Sequence, residues 1–338
     1  MRKTILYVVI FSMVILSVIQ AGHAEALLKY PKAKVTIRVI DYDTGEPIEG
    51  ARVRLKLSRI DPQYGSLTFT TEVYGMSDAE GMVTLSGGTK PFVQYLAEHD
   101  GYYMGGGRFD FDLKESPLQF RHTPWNPTLT ARLRKKGNKI AMYAIRTYGL
   151  KIPELNKPIG FDLMEADWVA PYGNGKVNDF IFTVTKDYKD ESNYSGTLEL
   201  TFSNKYDGIY VYPIDKNYHS GPPLPYFAPE EGYQDKLIKR IEKLPGKKQS
   251  FNYDKKQHYF FRVRSTEKDG KLESAMYGKL YHDFYFNVYS EITLDRDDLP
   301  GISFEYYLNP DGTRNTEFKN DKNLIKKFSK TAERVYGP

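Results

Sequence analysis

Residues 41–53, Asp-Tyr-Asp-Thr-Gly-Glu-Pro-Ile-Glu-Gly-Ala-Arg-Val, join two runs in which apolar and polar residues alternate. Apolar residues stand at every second position before the stretch, at Val35, Ile37 and Val39, and again at its end and beyond, at Ala51, Val53, Leu55 and Leu57. This two-residue period is typical of strands with one face in a core. Gly45 and Gly50 can adopt positive φ, and Pro47 has no backbone N–H to donate, so the residues between the runs favour a turn. The stretch therefore predicts a strand, a tight turn and a second strand.

Three motifs follow one another in the first third of the chain. The stretch 41–53 contains an Asp, a Thr-Gly, a Pro-Ile and a Gly-Ala-x-Val, Ser77–Leu85 contains an Asp-x-x-Gly turn before an alternating strand, and Gly101-Tyr102-Tyr103 comes last. In this order they resemble the transthyretin-like module, also called the carboxypeptidase regulatory-like module, over roughly residues 34–113. The resemblance implies a β-sandwich that serves as a support or binding domain and has no catalytic activity of its own.

The N-terminus has the pattern of a secretory signal peptide. Met1-Arg2-Lys3 is followed by a largely apolar run, Ile5–Ile19, and then by small residues as far as Ala24. The run is shorter than the roughly twenty apolar residues that a membrane-spanning helix needs, although an uncleaved anchor remains the alternative. We expect residues 1–24 to be removed on export to the periplasm or the extracellular space. On this prediction the chain meets the membrane only through its leader.

Composition excludes several classes of protein. The chain has no cysteine, so it has no disulfide, no thiolate metal site and no cysteine-linked lipid anchor. Loss of Arg2 and Lys3 with the leader lowers the net charge from +5 to +3, which is nearly balanced for this length and argues against a nucleic-acid partner. No motif indicates a metal or another cofactor. The 28 tyrosines and 19 phenylalanines favour strands.

Two domains are predicted after the leader. The first is the transthyretin-like sandwich, residues 32–116, and prolines at 117, 124 and 127 indicate a connector over 117–137. One alternating run, Leu129, Ala131 and Leu133, either returns to the first sandwich or opens the second. Residues 138–338 form the second domain, with alternation in 180–184 and 198–202 and an Asp269-Gly270 pair that predicts a type I′ hairpin.

We expect one helix, and a second with weaker end signals, in the second domain. Leu237, Ile238, Ile241 and Leu244 stand at helical spacing, which predicts a helix near 234–244 that ends before Pro245-Gly246. The run from Leu324 to Val335 indicates a C-terminal helix. The predicted fold class is therefore all-β, with a transthyretin-like sandwich followed by a larger sandwich of jelly-roll type that carries one or two short helices.

Two groups of residues in the second domain are candidate sites. Three carboxylates, Asp162, Glu165 and Asp167, lie close in sequence, and a pair of such groups about 5–10 Å apart is what glycoside hydrolysis requires. Aromatic residues in loops could instead bind a ligand, since an exposed ring gives a large contact area for little loss of entropy. The predicted ligand-binding residues are Trp168, Tyr172, Tyr226 and Phe227.

These features lead to two hypotheses about function. The first is an exported, non-enzymatic protein of the cell envelope, with a binding or structural role and with a carbohydrate or an envelope protein as its partner. The second is a glycan-active hydrolase whose site contains Asp162, Glu165 and Asp167. Convergence of these carboxylates in a concave pocket beside Trp168 would favour the hydrolase.

Overall fold

The computed structural model describes residues 30–60, 68–112, 120–213, 222–288 and 299–337, so the predicted signal peptide lies outside the described residues. The described residues divide into two compact units, one within residues 30–136 and the other within residues 137–337. Every regular element in the described ranges is a β-strand, which confirms the all-β prediction. None of the described residues belongs to a helix that is long and apolar enough to cross a membrane.

The described part of the first unit is a sandwich of two sheets with the orders β4-β1-β7 and β3-β2-β5-β6. Its strands are β1 (Lys32–Asp41), β2 (Arg52–Ile60), β3 (Thr68–Met76), β4 (Met82–Gly88), β5 (Phe92–Glu98), β6 (Gly105–Asp110) and β7 (Thr128–Leu133). The alternating apolar residues of β1 and β2 are buried in one core, with those of β5 and β7. β1 and β2 belong to different sheets, so the stretch between them connects the two layers.

Asp41 organises that connection. Its Oδ1 accepts the backbone N–H groups of Asp43 at 2.8 Å and Thr44 at 3.0 Å, which closes the turn after β1. Gly45 and Gly50 have φ of 76° and 71°, the left-handed region for which glycine is favoured. The predicted strand, turn and strand are confirmed.

Part of the predicted connector belongs to the first sandwich. Strand β7 pairs in parallel with β1, from Thr36 opposite Thr128 to Asp41 opposite Leu133. The prediction of a connector over the whole of 117–137 is therefore wrong for 128–133, and the alternating run returns to the first sandwich. Pro124 and Pro127 lie in the irregular segment before β7. Proline has no backbone N–H to donate to a neighbouring strand, which suits it to such a segment.

The second unit is also a sandwich, with sheet orders β11-β10-β12-β13-β15-β16 and β14-β17-β18-β19-β8-β20. β9 pairs with β19, and β21 pairs with β8. Its strands are β8 (Ile140–Thr147), β9 (Leu150–Lys151), β10 (Pro158–Asp162), β11 (Asp167–Trp168), β12 (Phe180–Asp190), β13 (Asn193–Thr201), β14 (Gly208–Tyr212), β15 (Lys236–Lys243), β16 (Ser250–Phe251), β17 (His258–Lys268), β18 (Lys271–Asn287), β19 (Gly301–Asn309), β20 (Phe318–Asn323) and β21 (Ala332–Glu333). An aromatic core lies between the sheets, and a second cluster that includes Tyr277 and Tyr307 lies apart from it.

The Asp269-Gly270 hairpin is confirmed. It joins β17 to β18, with Lys268 opposite Lys271 and φ of 52° and 75° at the two central residues. Both values are positive, as a type I′ turn requires.

Both predicted helices are wrong. Residues 236–243 form β15, which pairs with β13 and β16, and Lys239 and Ile241 are its fully buried positions. Residues 324–335 contain only the two-residue strand β21 and irregular backbone. In β15 the inward position occupied by Lys239 obscures the two-residue period, because a lysine reads as a surface residue. The apolar residues that remain then stand at helical spacing.

Candidate functional site

The predicted carboxylates lie in the hairpin of β10 and β11, and Asp162 holds the neighbouring segments in place. Asp162 is the last residue of β10, and its Oδ1 accepts the backbone N–H groups of Met164 at 2.9 Å and Glu165 at 3.2 Å. Its Oδ2 accepts those of Lys176 at 3.0 Å and Val177 at 3.1 Å. A single carboxylate therefore holds two loop segments together.

A second acid and an arginine complete this cluster, and the sequence analysis missed both. Arg264 donates from Nη2 to Asp162 at 2.8 Å, and from Nε and Nη2 to the two oxygens of Asp179 at 2.8 and 2.7 Å. Asp179 is almost fully buried and also accepts the backbone N–H of Leu163 at 2.9 Å. The pairing of β17 with β18 is irregular beside Arg264, and its φ of 53° is unusual for arginine. Such irregularities re-aim side chains, and no local sequence pattern signals this one.

The other two carboxylates also have partners within the loop. Asp167 accepts the backbone N–H of Trp168 at 2.8 Å and, through its other oxygen, the backbone and side-chain amides of Asn174 at 2.9 and 3.0 Å. Glu165 is exposed and pairs with Lys176 at 2.9 Å. The loop approaches so closely that a Cβ on Gly175 would lie 2.9 Å from the Cβ of Asp162. The contacts of Asp162, Asp167 and Glu165 are those of a folded loop and its surface.

The charge state of Asp162 does not suit a catalytic acid. Burial alone would raise its pKa, but the four backbone N–H donors outweigh burial and lower the pKa below the ordinary value. A glycosidase acid needs a raised pKa so that it still carries a proton near neutral pH. Asp162 is instead ionised and fully engaged by donors. This geometry favours a structural role for the cluster.

Trp168 is buried, so its prediction as an exposed ligand-binding ring is wrong. Only 5% of the residue is exposed, and its indole packs edge-on against Phe161 at 5.3 Å and Phe182 at 6.0 Å between ring centroids. The short strand β11 pairs Trp168 with Phe161 of β10 and directs the ring into the aromatic core. The indole offers no face to a ligand.

The remaining predicted rings lie in two separate loops. Tyr172 is 40% exposed, and its hydroxyl hydrogen-bonds to Glu154. Phe227 is 62% exposed and forms a β-bridge with Asn315, while the neighbouring Tyr226 is half-buried. Tyr172 follows β11 in the chain, whereas Tyr226 and Phe227 lie between β14 and β15. Tyr172, Tyr226 and Phe227 remain predictions as ligand contacts.

The first unit carries a groove that the sequence analysis did not predict. It has a volume of about 530 Å³ and lies between the start of β2, the end of β5 and the loop that leads to β6. The side chains that line it are those of Arg52, Glu98, His99, Asp100, Tyr102, Met104 and Lys136. Gly50 at its wall has open space where a Cβ would stand. The lining combines charges of both signs with an apolar side chain, which is suited to binding.

The described residues contain no group of three or more His, Cys, Asp or Glu side chains arranged to hold a metal ion. In the Asp162 cluster the carboxylate oxygens accept hydrogen bonds from N–H donors, whereas a hard cation needs such oxygens for itself.

Comparisons with known proteins add little. No family model matches the chain, and no curated protein matches it. Among solved structures, a double mutant of the shaft pilin SpaA from Lactobacillus rhamnosus GG is 16% identical over 32% of this chain and 49% of that chain, with a TM-score of 0.22. The chain thus spans about half the length of that structure. A single mutant of the same pilin is 10% identical over 73% of this chain and 92% of that chain, also with a TM-score of 0.22. Because these scores are so low, the fold rests on the strands described above.

Proposed function

We propose that the chain is an exported, non-enzymatic protein of the cell envelope, in which a transthyretin-like sandwich precedes a larger sandwich and which has a binding or structural role. The observation that carries this proposal is the state of Asp162. Its two oxygens accept four backbone N–H groups and the Arg264 guanidinium, so this carboxylate is occupied in holding the loop together. This supports binding over hydrolysis.

Three further features support the proposal. The leader pattern of residues 1–24 favours export, and the absence of cysteine leaves stability to the two buried cores. The motifs of the transthyretin-like resemblance fall on the turns and strands of a β-sandwich. The groove on that sandwich gives a non-catalytic protein a surface with which to hold a carbohydrate or an envelope protein.

Export is tested by expressing residues 1–338 in a bacterial host, fractionating the cells and measuring the intact mass. We expect a product outside the cytoplasm that begins after Ala24 or Ala26. An uncleaved cytoplasmic product would contradict export.

The non-enzymatic role is tested by incubating the purified chain with envelope polysaccharides and measuring released reducing ends. The non-enzymatic role would be contradicted if reducing ends were released and if Glu165→Gln and Asp167→Asn each abolished this release. Both positions are exposed or half-exposed and tolerate substitution.

A further inference from the structure

The groove on the first unit has a lysine at its rim whose charge is exposed. Lys136 is exposed at its rim, and its ammonium lies 5.8 Å from the centroid of the Tyr103 ring. Lys136 makes no ion pair with any residue in the described ranges. Its backbone is fixed nonetheless, because its N–H donates to the carbonyl of Gly101 at 2.7 Å. The groove therefore presents a positioned positive charge to solvent.

Arg52 supplies a second cation that a ligand can recruit at small cost. Its Nη1 lies 3.4 Å from Glu98, and the two side chains are 55% and 49% exposed. An ion pair this exposed contributes little to stability. A carboxylate from a partner can replace Glu98 with little loss of stability.

Apolar side chains border these charges. Met76 lies opposite Arg52 in the pairing of β2 with β3 and is 59% exposed, and Met104 in the groove is 54% exposed. Methionine is unbranched and adapts to varied apolar surfaces, which is why it recurs where peptides are bound. The adjacent Tyr74 is 47% exposed, and the Arg52 guanidinium lies over its ring at 4.5 Å.

We propose that this groove binds an acidic segment of a partner polypeptide. One aspartate or glutamate of the segment lies between Arg52 and Lys136, and apolar residues on either side of it contact Met76 and Met104. The proposal rests on the non-enzymatic binding role argued above and deepens it by naming the surface and the partner's chemistry.

Two features favour a polypeptide over an acidic glycan. Glu98 and Asp100 line the same groove, so a polymer that carries a negative charge on every unit would place some of its charges beside them. A sugar ring would also stack on an exposed aromatic face, but the ring in the groove lining, Tyr102, is half-buried and packs edge-on against His99 at 5.5 Å between ring centroids. A segment with a single carboxylate among apolar residues avoids both conflicts.

The test uses the purified full chain after removal of its leader. Blocked heptapeptides with a central glutamate flanked by leucine and methionine are titrated by NMR, alongside matched peptides with glutamine or lysine at the centre. We expect the glutamate peptide to bind at least about tenfold more tightly than the other two, as a lost charged contact predicts. Arg52→Gln and Lys136→Gln should each weaken its binding by about the same factor.

Arg108→Gln is the matched control. Arg108 is a half-exposed cation of the same sheet, paired with Asp110 at 2.6 Å and absent from the groove lining, so its loss should leave peptide binding unchanged. All three substitutions are at exposed positions, and equal thermal midpoints will verify that the variants are folded.

Several results would overturn the proposal. They are the absence of binding to any peptide, equal affinity for the glutamate, glutamine and lysine peptides, and binding that Lys136→Gln does not change. Tight binding of a uronic-acid oligosaccharide that depends on the same two cations would assign the groove to a glycan instead. A chain that is exported and inactive as a hydrolase but fails this test retains the proposed function and loses only the peptide site.

Discussion

The ammonium of Lys239 lies 2.7 Å from the carboxylate of Asp283, and this buried ion pair joins the two sheets of the second sandwich. Lys239 is on β15 of one sheet, and Asp283 is on β18 of the other. Asp283 also accepts the Tyr259 hydroxyl at 2.5 Å and the backbone N–H groups of Asp254 and Phe284 at 2.9 Å. Burial, followed by the charge of Asp283, raises the pKa of Tyr259 far above its ordinary value. Four donors thus satisfy one carboxylate in the core.

Removal of the lysine alone should destabilise the second unit strongly. Lys239→Met leaves the buried charge of Asp283 without its counterion, which costs about 3–5 kcal/mol. The free energy of unfolding in urea measures the loss. The double variant Lys239→Met with Asp283→Asn should recover part of it, because neither charge is then buried and the amide oxygen can still accept the Tyr259 hydroxyl. A cost below about 1 kcal/mol for the single variant would show that the pair is not needed for stability.

Asp162 should matter for stability far more than its neighbour Glu165. Asp162→Asn directs an amide towards N–H groups that donate to the native carboxylate and weakens the contact with Arg264, at a cost of about 3 kcal/mol. Glu165→Gln, in which only an exposed pair with Lys176 is lost, should change stability by less than about 1 kcal/mol. Thermal unfolding of the two variants checks the contrast. Similar losses in both would contradict the structural role of Asp162.

Trp168 and Tyr172 should likewise differ in their effect on folding. Trp168→Ala removes a buried indole from between Phe161 and Phe182, and we expect a loss of about 3–5 kcal/mol. Tyr172→Ala removes an exposed ring and should cost less than about 1 kcal/mol. Denaturant unfolding separates the two. A Trp168→Ala variant with native stability would show that the indole is not part of the core.

His258 should make stability depend on pH. Burial, and to a smaller extent the nearby His282, lowers the pKa of His258 from 6.5 to about 4. Its Nδ1 accepts the backbone N–H of His282 at 3.0 Å, which requires the neutral ring. The ordinary pKa of 6.5 applies to the unfolded chain, so between pH 6.5 and 4 the unfolded chain binds the proton more readily than the folded chain. The stability that the neutral ring contributes is therefore fully present above about pH 6.5 and falls as the pH approaches 4. The loss amounts to at most about 3 kcal/mol.

The check on His258 is urea unfolding at several pH values between 4 and 7, for the parent chain and for His258→Gln. The variant has no imidazole at this position, so its stability should fall less steeply with decreasing pH. Parallel curves for the two proteins would contradict the assignment.

How far the sequence predicts this fold depends on whether the inward residues of a strand are apolar. β1 and β2 alternate without exception through Val35–Val39 and Val53–Leu57, and the prediction of strands there is correct. In β15 an inward position is Lys239, whose charge is acceptable only because Asp283 faces it from the other sheet. Asp283 itself follows His282, which has a φ of 64°, in an irregular part of β18. Periodicity therefore fails at both partners of the ion pair.

The sequence also predicts only part of the candidate site. Proximity in sequence correctly placed Asp162, Glu165 and Asp167 in one loop region, but it could not reveal that Arg264, about a hundred residues away, pairs with Asp162. Nor could it reveal that Trp168 points inward, since a two-residue strand gives no period to read. The groove draws on β2, β5 and Lys136, which only the closed sandwich brings together.

The sequence by itself determined the strands whose inward residues are apolar, the Asp41 and Asp269-Gly270 turns and the lack of any cysteine chemistry, because each depends on the identity of residues or on neighbours within a few positions. The tertiary structure decided the sheet to which each strand belongs, the burial of Lys239 and Trp168, and the partners of Asp162. These depend on contacts between distant segments, where the free energy of a buried charge or ring is set by whatever group the fold places opposite it.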